Sequence, residues 1–108
     1  MFLVFLSELI GTFVFISVIL SFTTIDNGIN TALCIGLTLA VAIWFTCKAS
    51  LGALNPAVSL ALFLRGDLDA TKLIVYTLAQ ILAAFLALAW WQQIQAGWLL
   101  QDSSASPK

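Results

Sequence analysis

The sequence predicts an all-α membrane protein, with three transmembrane helices and one short re-entrant half-helix. Three observations predict this fold class: the composition, three apolar stretches long enough to span a bilayer, and a fourth that is too short. Of the 108 residues, 62% are hydrophobic and only 8% are charged, and the mean hydropathy is +1.10. A water-soluble domain carries roughly a quarter charged residues. This chain therefore cannot build a soluble surface, and we expect its apolar residues to face lipid.

The three long stretches each meet the length that a bilayer requires, which is about 20 mostly apolar residues. The first covers residues 2 to 25 and contains Glu8 as its only charge, the second covers residues 31 to 47, and the third covers residues 73 to 100. We expect a turn at Asp26-Asn27-Gly28 to join the first two, since these residue types favour turns.

The fourth apolar stretch, residues 53 to 64, has the length of a re-entrant segment rather than of a span. Asn55 is a favoured N-cap residue and Pro56 is favoured at the first helical position. Arg65 places a cation in the last turn, and Gly66 is a typical helix terminator. These signals predict a short helix that begins at Pro56 and ends at Arg65.

The basic residues predict an orientation. Lys48, Arg65 and Lys72 all lie between the second and third spans. Because short cytoplasmic loops carry an excess of Lys and Arg, we expect this loop and the N-terminus in the cytoplasm and the C-terminus outside. We divide the chain into a transmembrane domain, residues 1 to 101, and a polar tail, residues 102 to 108.

Several function classes are excluded by composition. The net charge is -1 and there is no histidine, so neither a phosphate-binding basic patch for nucleic acid nor histidine-based catalysis is expected. Cys34 and Cys47 lie 13 residues apart in one apolar stretch, which on a helix is far beyond disulfide reach. We expect no enzyme activity, no catalytic residue, no metal and no cofactor.

The half-helix indicates a passive pore. Its first N–H groups are unpaired and carry about half a positive charge, which repels cations. Irregular backbone such as residues 50 to 55 survives at membrane depth only when buried in protein or lining a water-filled cavity. The Asn55 amide can donate hydrogen bonds to a passing solute, and a positive helix end excludes protons and other cations.

A known family shares this pattern. Residues 52 to 59 read GALNPAVS and resemble the Asn-Pro-Ala motif of the major intrinsic proteins, the aquaporins and aquaglyceroporins. Residues 7 to 13 (SELIGTF) are similar to the Glu motif of that family's first helix, and residues 76 to 80 (YTLAQ) to the Ala-Gln motif of its third. Gly36-Leu37-Thr38 lies about 19 residues before Asn55, as in the family. The resemblance covers roughly residues 3 to 95.

The resemblance implies the first half of the aquaporin-like inverted repeat and roles for individual residues. Glu8 and Gln80 would support the re-entrant loop structurally. By register, Ile35 stands where many water channels have a bulky aromatic residue. The residues expected to line a pore are Ala53, Leu54, Asn55, Pro56, Ala57 and Ile35. The lipid bilayer and water or small neutral solutes are the expected partners.

The departures from the family pattern also carry predictions. The sequence has one Asn-Pro-Ala motif where a whole member has two, so we expect a pore only with a second half, from an antiparallel copy or a partner chain. The arginine that follows the family's second motif has no counterpart, since Val58 follows Ala57. Together with Ile35, this predicts a pore that passes glycerol-sized solutes.

Two alternatives stay open at this point. The chain would be a non-conducting membrane remnant or an interaction partner of another membrane protein if it forms no pore. A small proton-coupled exporter also has a Glu in its first span, but such proteins normally have four full spans and no role for the Asn55-Pro56 half-helix. Solute flux into liposomes distinguishes a channel from a remnant, and proton-driven efflux identifies an exporter.

Overall fold

The computed structural model describes residues 1–25 and 28–105, with side chains through Asp102. Within these residues the chain forms four α-helices and no strand: α1 Phe2–Phe22, α2 Ile29–Thr46, α3 Pro56–Arg65 and α4 Ala70–Ala105. α1, α2 and most of α4 are long and apolar enough to cross a membrane, whereas α3 is not. The predicted fold class, three spanning helices and one half-helix, is confirmed.

The half-helix α3 begins and ends where its local signals place it. Asn55 is extended, with φ of -157°, and its side-chain Oδ1 accepts the Ala57 N–H at 2.8 Å. Gly66 adopts the left-handed conformation at φ of 98°, and its N–H bonds back to carbonyls in the last turn. Both caps use only residues close in sequence, which is why the sequence alone predicted the bounds of α3 correctly.

The ends of the long helices differ from the hydropathy pattern. α1 stops at Phe22, and the Thr23 hydroxyl donates to the Ile19 carbonyl just beyond it. α4 has 36 residues, and at about 1.5 Å per residue it is longer than the bilayer core of about 30 Å. It continues through Ala105 and so includes the first residues of the expected tail. The boundary at residue 101 stays a prediction, and Asp26, Asn27 and Lys108 lie outside the described residues.

The helices pack around α1, which contacts both α2 and α4, while α3 packs on α4. Ala79, Ala83 and Ala87 of α4 are completely buried and recur every four residues, so they share one face of the helix. In lipid the hydrophobic effect does not drive helices together, so their association depends on close packing. Small side chains let the helix backbones approach closely. The alanines on this face of α4 thus allow close packing against the neighbouring helices.

Gly11 lies where α1 passes close to Leu54 and Thr46. A Cβ at this position would lie 2.6 Å from Leu54 Cδ2 and 2.9 Å from Thr46 Cγ2. We expect Gly11→Ala to lower the free energy of unfolding by about 1–3 kcal/mol, since overpacking forces neighbouring side chains apart. Titration with a denaturing detergent measures this loss.

The matched control is Gly36→Ala in α2, where an added Cβ meets nothing within 4 Å. That substitution should be neutral or stabilising by about 0.5–1 kcal/mol, because alanine is favoured over glycine inside a helix. Equal effects at both glycines would show that the contact with Leu54 does not limit the packing.

Candidate functional site

The candidate site is built on the re-entrant segment, residues 47 to 55, which connects α2 to α3. Two of its residues have left-handed backbone: Gly52 at φ of 62° and Leu54 at φ of 52°. For a residue with a side chain this conformation costs roughly 1–2 kcal/mol. The Leu54 side chain is nevertheless 98% buried, at 2% exposure. Contacts from elsewhere in the fold must therefore hold the segment in this shape.

Glu8 supplies the central contacts. Its carboxylate is fully buried, and Oε1 accepts the Ser50 hydroxyl at 2.7 Å and the Ala53 N–H at 3.0 Å. Oε2 accepts the Leu54 N–H at 2.8 Å and Gln80 Nε2 at 2.9 Å. All four partners are donors, which is the set that a carboxylate without its proton accepts. A charge that would be costly in hydrocarbon is thus surrounded by hydrogen bonds.

A second set of hydrogen bonds carries this network into the half-helix. Gln80 is 1% exposed, and its Nε2 also donates to Ser59 Oγ at 2.8 Å. The buried Ser59 hydroxyl donates in turn to the carbonyl oxygen of Asn55 at 3.1 Å. Side chains of α1, α4 and α3 are therefore linked in sequence, and the link ends on the residue that caps α3.

The four consecutive N–H groups of residues 51 to 54 all have side-chain acceptors. The Leu51 N–H donates to the Tyr76 hydroxyl at 2.8 Å and the Gly52 N–H to Ser50 Oγ at 3.0 Å, while Glu8 accepts the next two. The carbonyl oxygens of the same four residues accept no hydrogen bond within the described part of the chain. The N–H groups thus hold the segment in place, and its carbonyl oxygens stay available to accept hydrogen bonds from other molecules.

A groove of about 460 Å³ opens beyond the N-terminus of α3, between α1 and α4. Most of its lining is apolar, and its polar members are Thr12, Asn55 and Gln80. The Thr12 side chain is 1% exposed, and its hydroxyl has no hydrogen-bond partner in the described residues. The positive end of α3 faces this groove, since both Asn55 and Pro56 line it.

The residues expected to line a pore fall in different places. Leu54, Asn55 and Pro56 lie on the groove, whereas Ala57, which is exposed, and Ile35, which is half-buried on α2, do not. The Ala53 side chain packs in the core with Leu68 and Tyr76, so any contact with a solute would come from its backbone. The pore-lining roles stay predictions.

Sequence reasoning assigned no role to Ser50, Ser59 or Tyr76, although each holds the site. For Ser59 and Tyr76 the spacing in the sequence gave a signal that could have identified them. Ser59 lies four residues after Asn55, and Tyr76 lies four residues before Gln80, so each shares a helix face with a residue already singled out. No comparable signal identified Ser50, because its partner Glu8 is 42 residues away.

Known proteins resemble this chain over most of its length. A sequence model of the family described as "Major intrinsic protein" matches residues 2–106. Aquaporin Z of Photorhabdus laumondii is 32% identical over 108 residues, which cover 93% of this chain and 47% of that protein. Aquaglyceroporin-2 of Rhizophagus irregularis is 36% identical over 91 residues, or 77% of this chain and 29% of that protein.

A third relative, Aquaporin-2 of Botryotinia fuckeliana, is 31% identical over 106 residues, covering 82% of this chain and 28% of that protein. No solved structure gives a significant match. The chain spans less than half the length of these three relatives. Because the family match covers nearly the whole chain and the Glu8 network surrounds the Asn-Pro-Ala segment, this integral membrane protein belongs to the major intrinsic protein family.

Proposed function

We propose that the chain forms one half of a passive channel for water and small neutral solutes such as glycerol. One observation carries the proposal: in residues 51 to 54 every N–H is bonded to a side chain, while the carbonyl oxygens accept nothing in the described residues. A row of unpaired acceptors is tolerated at membrane depth where it lines a water-filled cavity. The names of the relatives, aquaporin and aquaglyceroporin, support the same class of solute.

Asn55 completes the proposed path. Its Oδ1 is used by the cap of α3, while its Nδ2 makes no hydrogen bond to the described residues. A water molecule or a polyol can therefore donate to the carbonyl oxygens and accept from this amide. A cation meets the positive end of α3 instead, which opposes its passage. This set of groups favours neutral solutes and needs no chemical step.

We expect the channel to pass glycerol as well as water. In an assembly of two copies neither half supplies the filter arginine, since Val58 follows Ala57 in this chain. Stopped-flow light scattering of liposomes containing the purified protein measures both fluxes against empty liposomes. A water-only conductance would contradict the wider pore, and no conductance for either solute would support the non-conducting alternative.

The proposed pore requires a second half. The groove beyond α3 is open, and the polar side chain of Asn55, which is exposed on it, would be costly to leave facing lipid. A second copy in the opposite orientation would cover this surface on both copies at once, and a partner chain would cover it on one. We favour the antiparallel homodimer, although Lys48, Arg65 and Lys72 lie in one loop and by themselves favour a single orientation with that loop and the N-terminus in the cytoplasm.

The orientation can be measured directly. A single cysteine is introduced by Lys108→Cys in a background of Cys34→Ala and Cys47→Ala, and a membrane-impermeant thiol reagent is added to intact and to opened vesicles. The homodimer predicts that about half of the chains react in intact vesicles and the rest only after opening. Labelling of all chains from the outer side would instead identify a single orientation, and would leave a partner chain or the non-conducting remnant as the alternatives.

A further inference from the structure

A separate pocket of about 300 Å³ lies at the end of the bundle where α1 and α4 begin and α2 ends. Its walls come from the first turns of α1 and α4, from the start of the re-entrant segment and from the turn after α3. The pocket shares no lining residue with the groove beyond α3. Leu51 is the one residue that the pocket shares with the row of carbonyl oxygens in the proposed solute path.

The pocket carries positive charge. Lys48 and Lys72 line it from two different elements, and neither forms an ion pair in the described residues. The carboxylate on its wall, Asp67, is already paired with Arg65. Asp69 lies nearby, but its side chain accepts the Lys72 backbone N–H at 2.8 Å and caps α4. Both lysines that line the pocket therefore lack a carboxylate partner in the described part of the chain.

The same pocket has an apolar side. Val4, Leu51, Leu68 and Tyr76 line it together with the lysines, and Leu51 is 48% exposed. An inorganic anion gains no favourable contact from an apolar wall. A phospholipid does, because its phosphate is bonded to a glycerol group that carries acyl chains. Basic pockets between transmembrane helices on the positively charged side are suited to anionic lipid headgroups.

We propose that this pocket binds the headgroup of an anionic phospholipid. The ammonium groups of Lys48 and Lys72 bind the phosphate, and the lipid's glycerol region lies against the apolar wall near Leu51. Because Lys48 belongs to the re-entrant segment and Lys72 to α4, the bound lipid ties the start of that segment to α4. The proposal holds whether or not the chain conducts.

Native mass spectrometry of the purified protein in detergent tests the proposal. The probes are phosphatidylglycerol, phosphatidylcholine with the same acyl chains, and inorganic phosphate. We expect one phosphatidylglycerol retained per chain in preference to phosphatidylcholine. The double variant Lys48→Gln with Lys72→Gln should bind phosphatidylglycerol on the order of tenfold more weakly, and each single variant should show part of that loss.

Two controls separate the pocket from general charge attraction and from misfolding. Lys108→Gln removes one cation from the polar tail and should retain the lipid, unlike either single glutamine variant at the pocket, and Lys48→Arg with Lys72→Arg should also retain it. Equal retention of both phospholipids, or undiminished phosphatidylglycerol binding by the glutamine variants, would overturn the proposal. Thermal stabilisation by inorganic phosphate equal to that by phosphatidylglycerol would overturn it in favour of a free anion.

Discussion

Glu8→Gln is expected to destabilise the protein by about 3–5 kcal/mol, the cost of breaking a buried charged network. Glutamine has nearly the same shape but replaces one oxygen by an NH₂ group, which only donates. One carboxylate oxygen now accepts the Ala53 N–H and the other accepts the Leu54 N–H. Whichever way the amide turns, a buried backbone donor faces another donor. Since natural proteins are stable by only about 5–15 kcal/mol, most of the folded population should be lost on mild heating.

Thermal unfolding in detergent, followed by size-exclusion chromatography of the heated samples, measures this effect. Asp102→Asn is the matched control, because it makes the same carboxylate-to-amide change at an exposed position near the end of α4. It should alter stability by less than about 0.5 kcal/mol. If both variants unfold at the wild-type temperature, Glu8 does not hold the re-entrant segment.

Asn55→Asp should change transport while leaving the fold intact. Aspartate is as good an N-cap as asparagine, so the bond that Asn55 Oδ1 accepts from the Ala57 N–H is kept. The substitution removes the free Nδ2 donor and places a negative charge at the positive end of α3. We expect flux of neutral solutes to fall by up to about tenfold, since the lost hydrogen bond between neutral groups is worth about 0.5–1.5 kcal/mol, and a cation leak to appear.

Stopped-flow measurements of water and glycerol flux, with cation flux followed in the same liposomes, test this expectation. Asn30→Asp makes the same chemical change at an exposed position in the first turn of α2 and should conduct like the wild type. Unchanged flux and selectivity of the Asn55→Asp variant, in a preparation that conducts, would show that Asn55 does not line the path.

Locally encoded features were predicted well from the sequence. The caps of α3 involve Asn55, Pro56 and Gly66, which act on their own neighbours. Hydropathy likewise predicted the three spanning helices, because lipid exposure requires a continuous apolar run. The third span, predicted at residues 73 to 100, lies within α4, which runs on to Ala105 because a helix needs no apolar residues beyond the membrane.

For the site, the sequence determined that a lone Glu in an apolar span must find partners, and the family motifs indicated where. The identity of those partners follows from the three-dimensional packing of the helices. The donors to Glu8 lie 42 to 72 residues away, and the left-handed Leu54 fits only because Gly11 leaves room for its side chain. Such contacts depend on how the helices cross, and no local pattern in the chain encodes that geometry.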